Sequence, residues 1–191
     1  MKVTNLAYAM AIAWSSAAIC QAGWLGQTVT AEWYVPDNVT VLESHNLLVA
    51  PGTELPFGSI SNGPSVAIDL SDDLVRFDFN AHAIWSPTTF NGWVFSHVPG
   101  AAPNIVGVGL GPMSPGVTGL TNAALSFTSN SVLANFSGVD VAAAGDFYTI
   151  KVQFGETPEP SSLVLAAIGG SALCIVARRP EGLRRRNALR T

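Results

Sequence analysis

An all-β fold, a single β-sandwich or jelly-roll-like domain between two apolar end segments, is what this 191-residue sequence predicts. Short runs of β-branched and aromatic residues recur at regular spacing, separated by Gly, Pro, Asn and Ser. Two of these runs alternate cleanly: Val75, Phe77 and Phe79 against Arg76, Asp78 and Asn80, and Tyr148, Ile150, Val152 and Phe154 against Thr149, Lys151 and Gln153. That period-two pattern places one face in a core and the other in water, as in a half-buried antiparallel strand. The middle of the chain shows no helical periodicity, and no repeat at a fixed period points to a solenoid or propeller.

Taken in order, the chain opens with Lys2 and a mostly apolar stretch from Leu6 to Cys20, closed by Cys20-Gln21-Ala22 before Gly23. A charged start, an apolar middle and a small-residue exit are the features of a secretory signal peptide over 1–22. Cys20 follows Ala17-Ala18-Ile19, and the bulky Ile19 fits a lipoprotein signal poorly.

The middle segment, 23–156, predicts about nine or ten strands. Thr28–Tyr34 stops at Pro36-Asp37-Asn38; Val39–Leu42 and Asn46–Val49 follow, the second closed by Pro51-Gly52. Ser65–Leu70 and Leu74–Asn80 flank Ser71-Asp72-Asp73, which reads as a hairpin connection. Gly92–Val98, Ile105–Leu110, Ala124–Thr128, Val132–Phe136 and Phe147–Phe154 complete the set. Strands this short and numerous suit a sandwich, and the length is enough to bury a core.

Charge is segregated. The whole chain carries −4, but between Gly23 and Glu156 eleven acids face only Arg76 and Lys151, a net of −9. An acidic surface poor in lysine and arginine is unsuited to phosphate backbones, so nucleic acid is not an expected partner. Both cysteines, Cys20 and Cys174, lie in the end segments, so the middle segment has no internal disulfide and no cysteine-based metal site.

Candidate chemistry in the middle segment is sparse. His45, His82 and His97 fall on separate segments without the spacing of a zinc helix. Asp69, Asp72, Asp73 and Asp78 form the densest acid cluster; calcium is the ion such a cluster admits, but the D-x-D-x-D-G loop pattern is absent and a solvated turn is favoured. No cofactor is therefore expected. Gly111 to Gly116 contains no G-x-S-x-G elbow, and Gly107-Val108-Gly109 opens no nucleotide-binding helix. Trp85, Phe90, Trp93 and Phe95 are either core residues or a sugar-stacking platform. Asn38-Val39-Thr40 and Asn135-Phe136-Ser137 match the glycosylation sequon, a pattern short enough to arise by chance.

The chain closes with Pro158-Glu159-Pro160, an uncharged run from Leu163 to Ala177, and then Arg178, Arg179, Arg184, Arg185, Arg186 and Arg190. The prolines keep the approach extended. In a bilayer the apolar run must satisfy its backbone internally and so forms a helix over 163–177. Its fifteen residues span about 22 Å at the helical rise, short of a hydrocarbon core of ~30 Å, and Pro160-Ser161-Ser162 and snorkelling arginines extend it. The basic tail, 178–191, keeps the C-terminus on the cytoplasmic side.

These three parts, in this order at the end of the chain, closely resemble the PEP-CTERM sorting domain of Gram-negative bacteria. The resemblance implies a sorting segment over 157–191. Pro158, Glu159 and Pro160 would be the motif read by an exosortase, a membrane transpeptidase-like enzyme, and Arg178, Arg179 and Arg184 to Arg186 would set stop and topology. They would be substrate residues rather than catalytic ones. It further implies an inner-membrane-anchored intermediate, then a cell-surface or extracellular protein, in a family associated with exopolysaccharide and biofilm matrix. The basic tail runs on past Pro180, where the family usually ends sooner. The middle segment is more loosely similar to a β-rich module of secreted bacterial proteins, through its Thr28-Val29-Thr30-Ala31 start, Pro51 to Leu55, Ile68-Asp69-Leu70, and Phe90 to Phe95. The expectation is a non-enzymatic surface or matrix protein; the alternative is a carbohydrate-binding or carbohydrate-active protein working on the exopolysaccharide.

Overall fold

A computed structural model of the chain describes residues 23–61 and 65–155. The signal peptide expected over 1–22 and the sorting segment expected over 157–191, with its motif, helix and arginines, lie outside the described residues.

Among the described residues, twelve strands make three antiparallel sheets. The first runs in the order β2 (Val41–Leu48), β1 (Thr28–Tyr34), β6 (Gly92–His97), β10 (Ser131–Asn135), β9 (Leu125–Phe127). The second runs β3 (Val66–Leu70), β4 (Leu74–Phe79), β12 (Phe147–Phe154), β7 (Ile105–Met113). Alternation in sequence dictates what each sheet buries. Val29, Ala31 and Trp33 of β1 and Trp93, Phe95 and His97 of β6 point inward from the first sheet; Val75, Phe77 and Phe79 of β4 and Tyr148, Ile150 and Val152 of β12 point inward from the second.

Aromatic contacts join the two inner faces. Phe77 meets Phe95 edge-on with ring centroids 6.0 Å apart and stacks on Tyr148 at 4.7 Å. Phe136, just past β10, lies 5.2 Å from Phe77 and 5.0 Å from Tyr148. Each such ring removes a large apolar area from water and adds a quadrupole-directed contact, so this cluster is the energetic centre of the sandwich.

The expected Ser71-Asp72-Asp73 hairpin joins β3 to β4, with Leu70 opposite Val75 and the Ser71 N–H donating to the Leu74 carbonyl at 2.9 Å. Two strands expected around Glu43-Ser44-His45 are instead one. β2 pairs along the whole of β1, from Thr28 opposite Leu48 to Tyr34 opposite Val41. Its polar middle survives in a strand because each side chain finds a partner. Glu43 and His45 bond one another, and Ser44 reaches Glu32 on the opposite face. β7 also runs three residues longer than expected, as far as Met113 opposite Tyr148.

The third sheet was not anticipated. β5 (Ala83–Ile84), β11 (Asp140–Val141) and β8 (Val117–Thr118) are two-residue pieces in the order β5-β11-β8. They carry Ala83, Val117 and Val141 into the core beside Trp85, Leu120 and Val139.

Candidate functional site

The three histidines occupy three unrelated environments. His45 Nε2 lies 2.9 Å from Glu43 Oε1, both half-buried on the inner side of edge strand β2, and the Ser61 N–H donates to both Glu43 oxygens at 3.1 and 3.3 Å. The His45 ring lies parallel to Trp93 at 6.5 Å. His82 Nε2 lies 2.9 Å from Asp140 Oδ1 on the exposed rim of the third sheet. His97 is buried at the end of β6, where its Nδ1 accepts a hydrogen bond from Trp24 Nε1 at 3.1 Å. That bond fixes the neutral tautomer with the proton on Nε2, and burial lowers the His97 pKa from its ordinary value.

The four clustered aspartates separate as well. Asp78 is gripped by Arg76 on the outer face of the second sheet, with Arg76 Nε at 2.8 and 3.0 Å from its oxygens, and the guanidinium lies over the Phe147 ring at 4.1 Å. Asp69 sits opposite Arg76 in the β3–β4 register. Its pKa is raised, first by burial and then by the charges of Glu54 and Asp78. Asp72 and Asp73 are at the hairpin tip, where the Asp72 carbonyl accepts from the Trp24 N–H at 3.1 Å and the Asp73 carbonyl from the Val152 N–H at 2.8 Å. Among the described residues, no group of three or more His, Cys, Asp or Glu side chains converges as a metal site would require.

Trp85, Phe90, Trp93 and Phe95 are all core residues, at most 9% exposed, so they form no platform on which a sugar could stack. Trp93 stacks on Trp33 at 6.3 Å and on Phe95 at 6.1 Å, and Trp85 meets Trp33 edge-on. The two sequons also part company. Asn135 is committed to structure: its Oδ1 accepts from the Asn91 and Ser137 N–H groups at 3.0 and 3.1 Å, and its Nδ2 donates to the Thr89 carbonyl at 3.2 Å. Asn38 occupies the exposed β1–β2 connection, shaped by Asp37 Oδ1 accepting from the Val39 and Thr40 N–H groups.

Residues that sequence reading passed over lie on the outer face of the first sheet. Tyr34 donates its hydroxyl proton to Glu32 Oε2 at 2.7 Å, and Ser44 reaches the other Glu32 oxygen at 3.5 Å. Burial and then the Glu32 carboxylate push the Tyr34 phenol up to about 12. The i, i+2 spacing of Glu32 and Tyr34 puts them on one face of a strand, which is the signal that could have found them.

None of these groups forms a site by convergence. The chain's functional signal is instead at its end, where β12 stops at Phe154 and the Gly155 N–H donates to the Asn104 carbonyl at 2.7 Å. Among the described residues no helix is long and apolar enough to cross a membrane. No curated protein and no solved structure matches the chain. A family model described as the PEP-CTERM protein-sorting motif matches residues 156–179, a span that takes in Pro158-Glu159-Pro160, the apolar run and Arg178-Arg179. The motif implies export, a membrane-anchored intermediate and exosortase-dependent sorting to the cell surface. The all-β domain is thus followed directly in sequence by a segment that matches the PEP-CTERM protein-sorting motif.

Proposed function

We propose that this is a non-enzymatic structural protein of the cell surface or extracellular matrix, associated with exopolysaccharide or biofilm and sorted by an exosortase through its C-terminal motif. One observation carries the reading: the PEP-CTERM match begins at Glu156, two residues after the last strand of a β-sandwich. On this reading the signal peptide over 1–22 starts export. Residues 163–177 hold the chain in the inner membrane, and Arg178, Arg179 and Arg184 to Arg186 keep the tail cytoplasmic by the positive-inside rule. Pro158, Glu159 and Pro160 are the residues the enzyme reads, extended because proline disfavours helix in the residue before it.

The structural rather than enzymatic role is supported by how the domain spends its side chains. Its tryptophans pack in the core, and its histidines are held in three separate pairings. The family's association with exopolysaccharide supplies the matrix setting. The test is cell fractionation of the full chain against a Pro158→Ala, Glu159→Ala, Pro160→Ala variant. The native chain is expected in the surface or matrix fraction, and the variant is expected to stay with the membrane. Equal surface display of both would overturn the sorting role. Turnover of matrix glycans by the purified exported protein would overturn the structural one.

A further inference from the structure

Gly23 is buried against the β3–β4 hairpin. A Cβ built on it would collide with the Asp72 carbonyl oxygen and would lie 2.6 Å from Asp72 Oδ1. The next residue fixes the segment in place: Trp24 is fully buried, its N–H donates to the Asp72 carbonyl, and its indole is bonded to His97. Asp72 Oδ1 is itself buried and has no hydrogen-bond partner. Two bonds separate the Gly23 nitrogen from the Cβ position, so this nitrogen and Oδ1 are roughly 5 Å apart or closer.

A buried, unpartnered carboxylate oxygen is a costly feature to leave in a fold. Within the intact chain the Gly23 nitrogen is a neutral amide with one proton in a fixed direction. Hydrolysis of the Ala22–Gly23 bond changes that. Water supplies the oxygen that leaves on the Ala22 carboxylate, and the Gly23 nitrogen becomes an ammonium with three rotatable donors and a positive charge beside Oδ1. We propose that the Ala22–Gly23 bond is the processing site, and that the new Gly23 ammonium pairs with Asp72 to complete the β-sandwich.

The proposal rests on the export reading above, whose leader already ends at Ala22, and adds to it the partner that the new N-terminus finds in Asp72. Cleavage further on would remove Gly23 or Trp24, the buried residues that seat this segment. Charged or titratable groups on the elements packed here include Asp73, exposed on the same tip, Glu54, whose carboxylate accepts from the Leu70 N–H, Lys151, whose β12 position registers with Leu74, and His97, bonded to Trp24.

The full-length precursor is expressed with its own leader, and the exported protein is recovered for intact-mass measurement and amine-specific labelling across pH. The mature chain is expected to begin at Gly23. A one-unit rise of its α-amino group above the ordinary 7.7–8.0 makes labelling at pH 8 about fourfold to fivefold slower. Asp72→Asn is expected to restore the ordinary rate, and Asp73→Asn to leave it slow. If Asp72→Asn does not fold, the wild-type titration decides alone, and a midpoint within the ordinary range overturns the pairing. A Gly23 start with equal labelling of wild type and Asp72→Asn also overturns the pairing and leaves export standing. A start at another residue overturns the processing site. An exported chain still carrying Met1 overturns both this inference and the export reading.

Discussion

Trp24 and Phe154 meet edge-to-face, ring centroids 5.5 Å apart and planes at 75°. One is the second described residue of the β domain and the other is the last residue of its final strand. The contact brings the entry and the exit of the domain to the same end of the sandwich. Trp24 also anchors His97 through its indole N–H, so a single side chain links the N-terminal segment, β6 and β12.

Replacing Trp24 with alanine should therefore cost about 3–5 kcal/mol, the range for deleting a large buried aromatic. Trp24→Phe keeps the edge-on contact but leaves His97 Nδ1 buried without a donor, which costs about 1–3 kcal/mol. Urea unfolding of the exported protein, followed by tryptophan fluorescence, measures both. A cost below about 1 kcal/mol for Trp24→Ala would mean that this end of the domain carries little stability.

Acid should weaken the fold through His97. Its pKa is lowered in the folded state by burial, and protonation would also place a proton on the Nδ1 that accepts from Trp24. The unfolded chain, with an ordinary histidine near 6.5, then binds more protons than the folded one in the window between the folded pKa and about 6.5. The contribution of neutral His97 is fully present above that window and declines as pH falls through it. A His97→Gln variant should show a flatter dependence of unfolding midpoint on pH below about 6.5. An unchanged slope would assign the acid sensitivity elsewhere.

The Asn135 and Asn38 sequons should respond oppositely to mutation. Asn135→Ala leaves the Asn91 and Ser137 N–H groups without their acceptor and is expected to lose about 1–3 kcal/mol. Asn38→Ala, in an exposed connection, is expected to stay within about 0.5 kcal/mol of wild type. Thermal unfolding of the two variants side by side makes the comparison.

Arg76 offers a contrast to these buried groups. Its guanidinium is held by Asp78 and lies over Phe147, yet both charged side chains are more than a third exposed. Screening by water keeps such a pair weak, and Arg76→Ala is expected to cost about 1 kcal/mol or less. A loss of 3 kcal/mol or more, on the order of a buried pair, would show that water does not reach it.

Strand identity was legible wherever alternation was strong. β4 and β12 place Phe77, Phe79, Tyr148 and Ile150 inward as their spacing demands. Glu43-Ser44-His45 misled because local polarity resembles a turn, whereas cross-strand pairing with β1 and the Glu43–His45 bond made it mid-strand. The third sheet left no local signal, since two-residue strands such as Asp140–Val141 are created by partners distant in sequence. The role of Trp85, Phe90, Trp93 and Phe95 was open for a related reason. Spacing puts Trp93 and Phe95 on one face, but only the packed partner shows which face is covered. The sorting motif was readable because its parts act in linear order, and its match over residues 156–179 needs no tertiary geometry.

The central claim, that this motif is read and the chain processed, is tested most directly by intact-mass analysis of the surface-released protein. The account predicts loss of Met1 to Ala22 at one end and, at the other, of the residues beyond the Pro158-Glu159-Pro160 region. Recovery of a surface form that still ends at Thr191 would contradict it.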